Sequence, residues 1–125
     1  MNKKIIIIDD DIHIRSLLEQ TLEEFEDEGI EILSAGNGQE GLELIKKTVP
    51  QIVFLDIMMP KMNGYQVCEQ VKKDPNLKSI HIILLTAKGQ KIDKEQGEES
   101  GANEYMTKPF DPDLIVKRVK ELLNK

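Results

Sequence analysis

The chain has 125 residues, enough for one domain with a real hydrophobic core, and 32% of them are charged against 39% hydrophobic. A net charge of −6, with no Trp and no basic run, excludes a phosphate-tracking nucleic-acid surface and an aromatic stacking platform. Cys68 is the single cysteine, so neither an internal disulfide nor a cysteine metal site can form, and no apolar run has the length of a membrane span or signal peptide; the expectation is a cytoplasmic protein.

In chain order, five short apolar runs alternate with amphipathic stretches. The first run, Lys4–Asp9, is nearly all Ile, and a helical face of Ile14, Leu17, Leu18, Leu22 and Phe25 follows it. The second, Glu31–Ala35, is more polar, as an edge strand would be. Asn37 with Glu40 then reads as an N-cap pair opening a helix whose apolar face holds Leu42 and Ile45. The third run, Gln51–Asp56, leads to another such pair, Asn63 with Gln66. The helix it opens carries Cys68 between Val67 and Val71, and stops at Asp74-Pro75-Asn76. The fourth run, Ile80–Thr86, precedes a helix over about residues 91–100 whose one large hydrophobe is Ile92, with Gly97 inside it. So thin an apolar stripe predicts a weakly anchored element. The fifth run, Glu104–Thr107, has the weakest strand pattern. Asp111-Pro112 then gives a cap with Pro at the first helical position, opening a helix with Leu114, Ile115, Val119, Leu122 and Leu123.

Near-continuous apolar runs suit a parallel sheet covered by helices on both faces. Five βα repeats with right-handed crossovers predict an α/β fold, a doubly wound five-stranded parallel sheet; its common small form is flavodoxin-like, with strand order 2-1-3-4-5. The first and third strands are then neighbours at the switch point where such sheets bind ligands. Asp9, Asp10 and Asp11 follow the first strand and Asp56 ends the third. Two carboxylates about 4 Å apart at an effective dielectric near 20 repel by roughly 4 kcal/mol. A hard divalent cation relieves that repulsion. Met58, Thr86, Ala87, Lys108 and Pro109 fall on the same edge. Acids, a hydroxyl and a lysine suit phosphoryl transfer: the cation shields the incoming group, lysine and hydroxyl contact its other oxygens, and one carboxylate serves as nucleophile. Gly64 reads as a backbone requirement of a helix's first turn. His13 and His81 read as isolated surface or strand residues, and Cys68 as a buried, inert thiol.

Ile8-Asp9-Asp10, Asp56-Ile57-Met58-Met59-Pro60-Lys61-Met62-Asn63-Gly64, Thr86-Ala87 and Lys108-Pro109-Phe110 together resemble the receiver domain of two-component response regulators. The resemblance covers essentially the whole chain, so one receiver domain is expected over residues 1–125. It implies that Asp56 is the phosphoacceptor. It implies that Asp10, Asp56 and the backbone carbonyl of Met58 bind Mg2+ (or Mn2+), with Asp9 orienting a metal-bound water. Thr86 would hydrogen-bond the phosphoryl group, and Lys108 would pair with a phosphoryl oxygen and, before that, with Asp56. Tyr105 would turn inward as Thr86 moves, and the Lys108–Pro109 bond would be cis. Met58 and Lys88 lie where the family tunes phosphoryl lifetime, while Asp11 reads as a plain first-turn acid.

The resemblance implies a switch rather than an enzyme, with self-phosphorylation and autodephosphorylation as its only chemistry. The donor would be a histidine kinase or histidine phosphotransfer protein. The output surface would be the fourth helix, fifth strand and fifth helix, facing an unspecified downstream effector or a second copy in a phosphorylation-dependent homodimer. No direct nucleic-acid or membrane contact is expected. A competing reading is a haloacid-dehalogenase-type phosphatase using Asp9, because Asp9-Asp10-Asp11 contains Asp-x-Asp after the first strand. Against it, His13 stands where Thr or Val is usual, no late acidic pair exists, and the chain is short. A flavodoxin-like cofactor carrier would need a Gly/Ser/Thr-rich phosphate loop after the first strand, and none is there.

Overall fold

The first, third and fourth apolar runs become parallel strands buried on both faces under helices, while the second and fifth pair at the edges with more of their surface exposed. The computed structural model describes residues 3–87 and 94–124. Its elements are β1 (Lys4–Ile8), α1 (Ile12–Glu26), β2 (Glu31–Ala35), α2 (Gly38–Thr48), β3 (Ile52–Asp56), α3 (Gly64–Lys73), β4 (His81–Ala87), α4 (Lys94–Ser100), β5 (Glu104–Lys108) and α5 (Pro112–Leu123). The sheet order is β2-β1-β3-β4-β5 with every pair parallel, as the alternation predicts.

Side chains alternate across a strand, so each central strand feeds two cores. Ile6, Ile8, Val53, Leu55, Ile82 and Leu84 point to the side of α2 and α3, against Leu42, Ile45, Val67, Cys68 and Val71. Ile5, Ile7, Ile52, Phe54, Ile83 and Leu85 point to the side of α1 and α5, against Leu18, Leu22, Phe25, Ile115 and Val119. Two predicted core residues are not core: Leu17 and Leu114 are exposed. The sheet-facing stripe of α1 runs through Leu18, Leu22 and Phe25, and a one-residue step along a helix turns about 100° away from such a stripe. In α5 the stripe is Ile115, Val119 and Leu123, which leaves Leu114 outside by the same step.

The caps follow local chemistry. Asn63 and Gln66 form a full reciprocal capping box on α3, and Asn37 accepts the Glu40 amide at 2.8 Å at the start of α2. Asp111 caps α5 ahead of Pro112. Asp11 is the N-cap of α1, not an acid inside its first turn: its backbone is extended and its carboxylate accepts the His13 amide at 2.8 Å. Gly64 meets expectation, since a Cβ there would drive into the Asp56 main-chain carbonyl. Its amide donates to the Ile57 carbonyl at 2.9 Å, seating α3 directly on the end of β3. Of the predicted fourth helix, α4 accounts for Lys94–Ser100, while Ile92 lies outside the described residues.

The amino end of the sheet is tied by polar side chains. Glu104, the first residue of β5, hydrogen-bonds His81 of β4 and receives two Nε contacts, at 3.0 and 2.9 Å, and an Nη2 contact at 2.7 Å from Arg118 of α5. His81 is therefore not isolated. Lys72 of α3 donates to the carbonyls of Lys78 and Ile80 and to the Asn103 side chain. Lys3, just before β1, donates to the carbonyl of Leu123 in α5 at 2.8 Å. Among the described residues, no helix is long and apolar enough to cross a membrane.

Candidate functional site

Because β1 and β3 are neighbours, the residues that end them share one edge. Ligand oxygens of Asp9, Asp10 and Asp56 all lie within 4.8 Å of one another. Asp9 is fully buried, Asp56 is 5% exposed and Asp10 faces solvent. The main chain fixes this geometry. The Asp9 amide donates to the Ala35 carbonyl of β2 at 3.3 Å, and the Ile57 amide extends the β3–β4 ladder to the Leu85 carbonyl at 3.2 Å. Met58 follows directly, with its side chain exposed.

Lys108 reaches in from the end of β5. Its Nζ donates to Asp9 Oδ2 at 2.8 Å and to Asp56 Oδ1 at 3.3 Å. The expected pairing with Asp56 is present, but Asp9 is the nearer partner. The bond that follows, Lys108–Pro109, is cis. Burial of Asp56, reinforced by the charge of Asp9 and then Asp10, pushes its carboxyl up to about 7, against the opposing pull of Lys108. For Lys108, burial works against the ammonium. The Asp9 and Asp56 hydrogen bonds and charges outweigh it and hold the group above its ordinary range.

Among the described residues, three carboxylates therefore gather around one ammonium. An all-oxygen donor set with excess negative charge and one member open to solvent fits a hard divalent cation. The three acids meet on the sheet edge where the strand order places them.

Thr86, two strands from Asp9, is buried, and its hydroxyl lies 3.3 Å from Thr107 Oγ1 and 3.5 Å from the Met106 carbonyl. Its hydroxyl is thus engaged with β5. Tyr105 of β5 sits at the surface, and its hydroxyl fills the space a side chain at Gly97 of α4 would need. Lys88, two past Thr86, lies outside the described residues. One residue near the site was missed from sequence: Arg15 of α1 donates through Nη1 to the main-chain carbonyl of Asp9 at 2.7 Å. The available signal was its position one helical turn past the Asp11 cap, which aims it back at the end of β1.

The profile of the response regulator receiver domain matches residues 5–120. The chain belongs to this family. It is 42% identical over 125 residues to the transcriptional regulatory protein SrrA of Staphylococcus aureus, covering 100% of this chain and 49% of that one. It is 39% identical over 125 residues to the alkaline phosphatase synthesis transcriptional regulatory protein PhoP of Bacillus subtilis, covering 100% of this chain and 50% of that one. The chain spans about half the length of these relatives. Among solved structures, a response regulator from Chloroflexus aurantiacus superposes with a TM-score of 0.85 at 36% identity over 100% of both chains.

The receiver fold and membership of the two-component response regulator family are thereby established. The phosphatase alternative finds no support in these relatives. The structure also weighs against it: Asp9, its required nucleophile, has no exposed surface and is already held by Lys108 and by the Asp11 amide.

Proposed function

We propose that residues 1–125 act as one receiver unit whose Asp56 accepts a phosphoryl group from a phosphohistidine, on a histidine kinase or a histidine phosphotransfer protein. The observation that carries this reading is the convergence of Asp9, Asp10 and Asp56 with Lys108 bridging two of them. A Mg2+ or Mn2+ ion would be held by Asp10, Asp56 and the Met58 backbone carbonyl, with Asp9 orienting a metal-bound water. Bound there, the ion supplies charge neutralisation for the phosphoryl oxygens and favours the ionised carboxylate of Asp56.

This chain's residues do the rest. An Asp56 carboxylate oxygen attacks phosphorus, the bond to the donor nitrogen breaks, and the donor histidine leaves with its electron pair and takes up a proton. Lys108 turns one of its donors from the acids to a phosphoryl oxygen. Thr86 gives up its β5 partners and donates to another. Tyr105 moves inward into the space Thr86 vacates. The surface of α4, β5 and α5 is then read by a downstream effector or by a second copy of the chain. SrrA and PhoP are transcriptional regulatory proteins, so control of transcription is the output we favour. Self-phosphorylation from small donors and autodephosphorylation belong to the same site.

The test is incubation with acetyl phosphate and Mg2+, followed by mass spectrometry of the peptides. One phosphoryl group on Asp56, absent from Asp56→Asn, is the expected result. A label on Asp9 would revive the phosphatase reading, and no label at all would overturn phosphoacceptance.

A further inference from the structure

Asp9 is held on every side. Its amide donates to Ala35, its Oδ1 accepts the Asp11 amide at 2.9 Å, and its Oδ2 accepts Lys108. The fourth group, its main-chain carbonyl, accepts Arg15 Nη1 at 2.7 Å. That carbonyl belongs to the planar peptide unit joining Asp9 to Asp10. Its orientation therefore sets where the Asp10 backbone starts, and with it the one carboxylate of the cluster that faces solvent.

A second observation concerns the same guanidinium from the opposite side. An ideal Cβ on Gly36, in the β2–α2 connection, would lie 3.2 Å from Arg15 Nη1 and 3.7 Å from Cζ. Gly36 is not in the left-handed region, so its backbone does not require glycine. The missing side chain leaves room for Arg15. Arginine also suits this position, because its planar fork offers several donors in fixed directions.

We propose that Arg15, seated against Gly36 and donating to the Asp9 carbonyl, is a positioning residue that fixes the β1–α1 turn and so presents Asp10 to the metal. This rests on the receiver chemistry proposed above. It adds that metal affinity depends on α1 and on the loop after β2, neither of which supplies a ligand.

The test compares wild type, Arg15→Ala, Arg15→Lys and Gly36→Ala by titration calorimetry with Mg2+ and by melting with and without Mg2+. Arg15→Ala should weaken Mg2+ binding on the order of ten-fold, and Gly36→Ala, which asks only a small shift of the guanidinium, by less. Both should shrink the Mg2+-induced rise in Tm, with Arg15→Lys between Arg15→Ala and wild type. In acetyl phosphate labelling, the Mg2+ concentration for half-maximal rate should rise by a similar factor, while the rate at saturating Mg2+ stays within about two-fold. A role confined to anchoring α1 would lower the metal-free Tm and leave the Mg2+ increment unchanged. Wild type that binds Mg2+ and labels at Asp56, alongside variants that bind Mg2+ equally well, overturns the Arg15 role alone. Wild type that does neither overturns the receiver chemistry and this inference with it. Should Arg15→Ala not fold, Arg15→Lys decides the matter, because it keeps the charge and the stem and loses the planar fork that reaches the Asp9 carbonyl, so unchanged Mg2+ affinity in that variant overturns the Arg15 role.

Discussion

At the amino end of the sheet Glu104 lies between Arg118 and His81, whereas at the carboxyl end Asp56 lies between Asp9, Asp10 and Lys108. Both acids are partly removed from water, and burial raises both. At Glu104 the hydrogen bonds from Arg118 and His81 outweigh burial and hold the carboxyl below its ordinary range. At Asp56 the neighbouring acids add to burial, one lysine does not compensate, and the carboxyl rises to about 7. The first arrangement is electrostatically complete and joins β4, β5 and α5. The second is left short of positive charge, which costs stability and suits it to the cation proposed above. The difference separates a structural ion pair from a functional one without reference to sequence position.

The largest effect should come from Lys108→Ala. It strips the cation that pairs with Asp9 and Asp56 among the described residues and leaves Asp9 buried without that partner, so urea unfolding without metal should lose about 3 kcal/mol. A change below about 1 kcal/mol would mean that solvent already screens the cluster. Glu104→Gln should cost less, about 1–2 kcal/mol at neutral pH, because the group it weakens is partly exposed. Its pH dependence sharpens the contrast. The folded pKa of Glu104 lies below the ordinary 4.5, so its contribution is complete above that value and is lost as pH falls through the folded pKa. The stability gap between wild type and Glu104→Gln should therefore close on acidification. A gap that persists into strong acid would contradict the assignment. The smallest effect has the opposite sign: Asp10→Asn removes one repelling acid, so Tm in Mg2+-free buffer should rise slightly while the Mg2+-induced increase disappears. Identical melting of the two proteins in both buffers would remove the case for a strained acid cluster.

The carboxyl end was legible from sequence because its residues sit at the ends of apolar runs, and the alternation of runs and helices fixes which ends are neighbours. Asp9, Asp10, Asp56 and Lys108 accordingly meet where expected. The amino end was not legible. His81 and Glu104 are separated by 23 residues, and their contact depends on the β4–β5 register and on the rotation of α5, which no local pattern states. Arg15 escaped for a related reason, since its acceptor is a backbone carbonyl and carbonyls leave no mark in a sequence. Asp11 was assigned to the first turn and proved to be the cap, a one-residue distinction set by backbone angles. Leu17 and Leu114 show the same resolution limit: apolar identity marked a helix face one step too wide. That Thr86 bonds β5 was likewise invisible, because a hydroxyl can choose among several acceptors.

The contact between Lys3 and Leu123 has a consequence for engineering. It ties the residue ahead of β1 to the last turn of α5 at the amino end of the sheet, opposite the acid cluster. A short splice joining residues 3 and 123, with new ends opened in a surface connection, would give a circularly permuted domain whose acid cluster keeps its spacing.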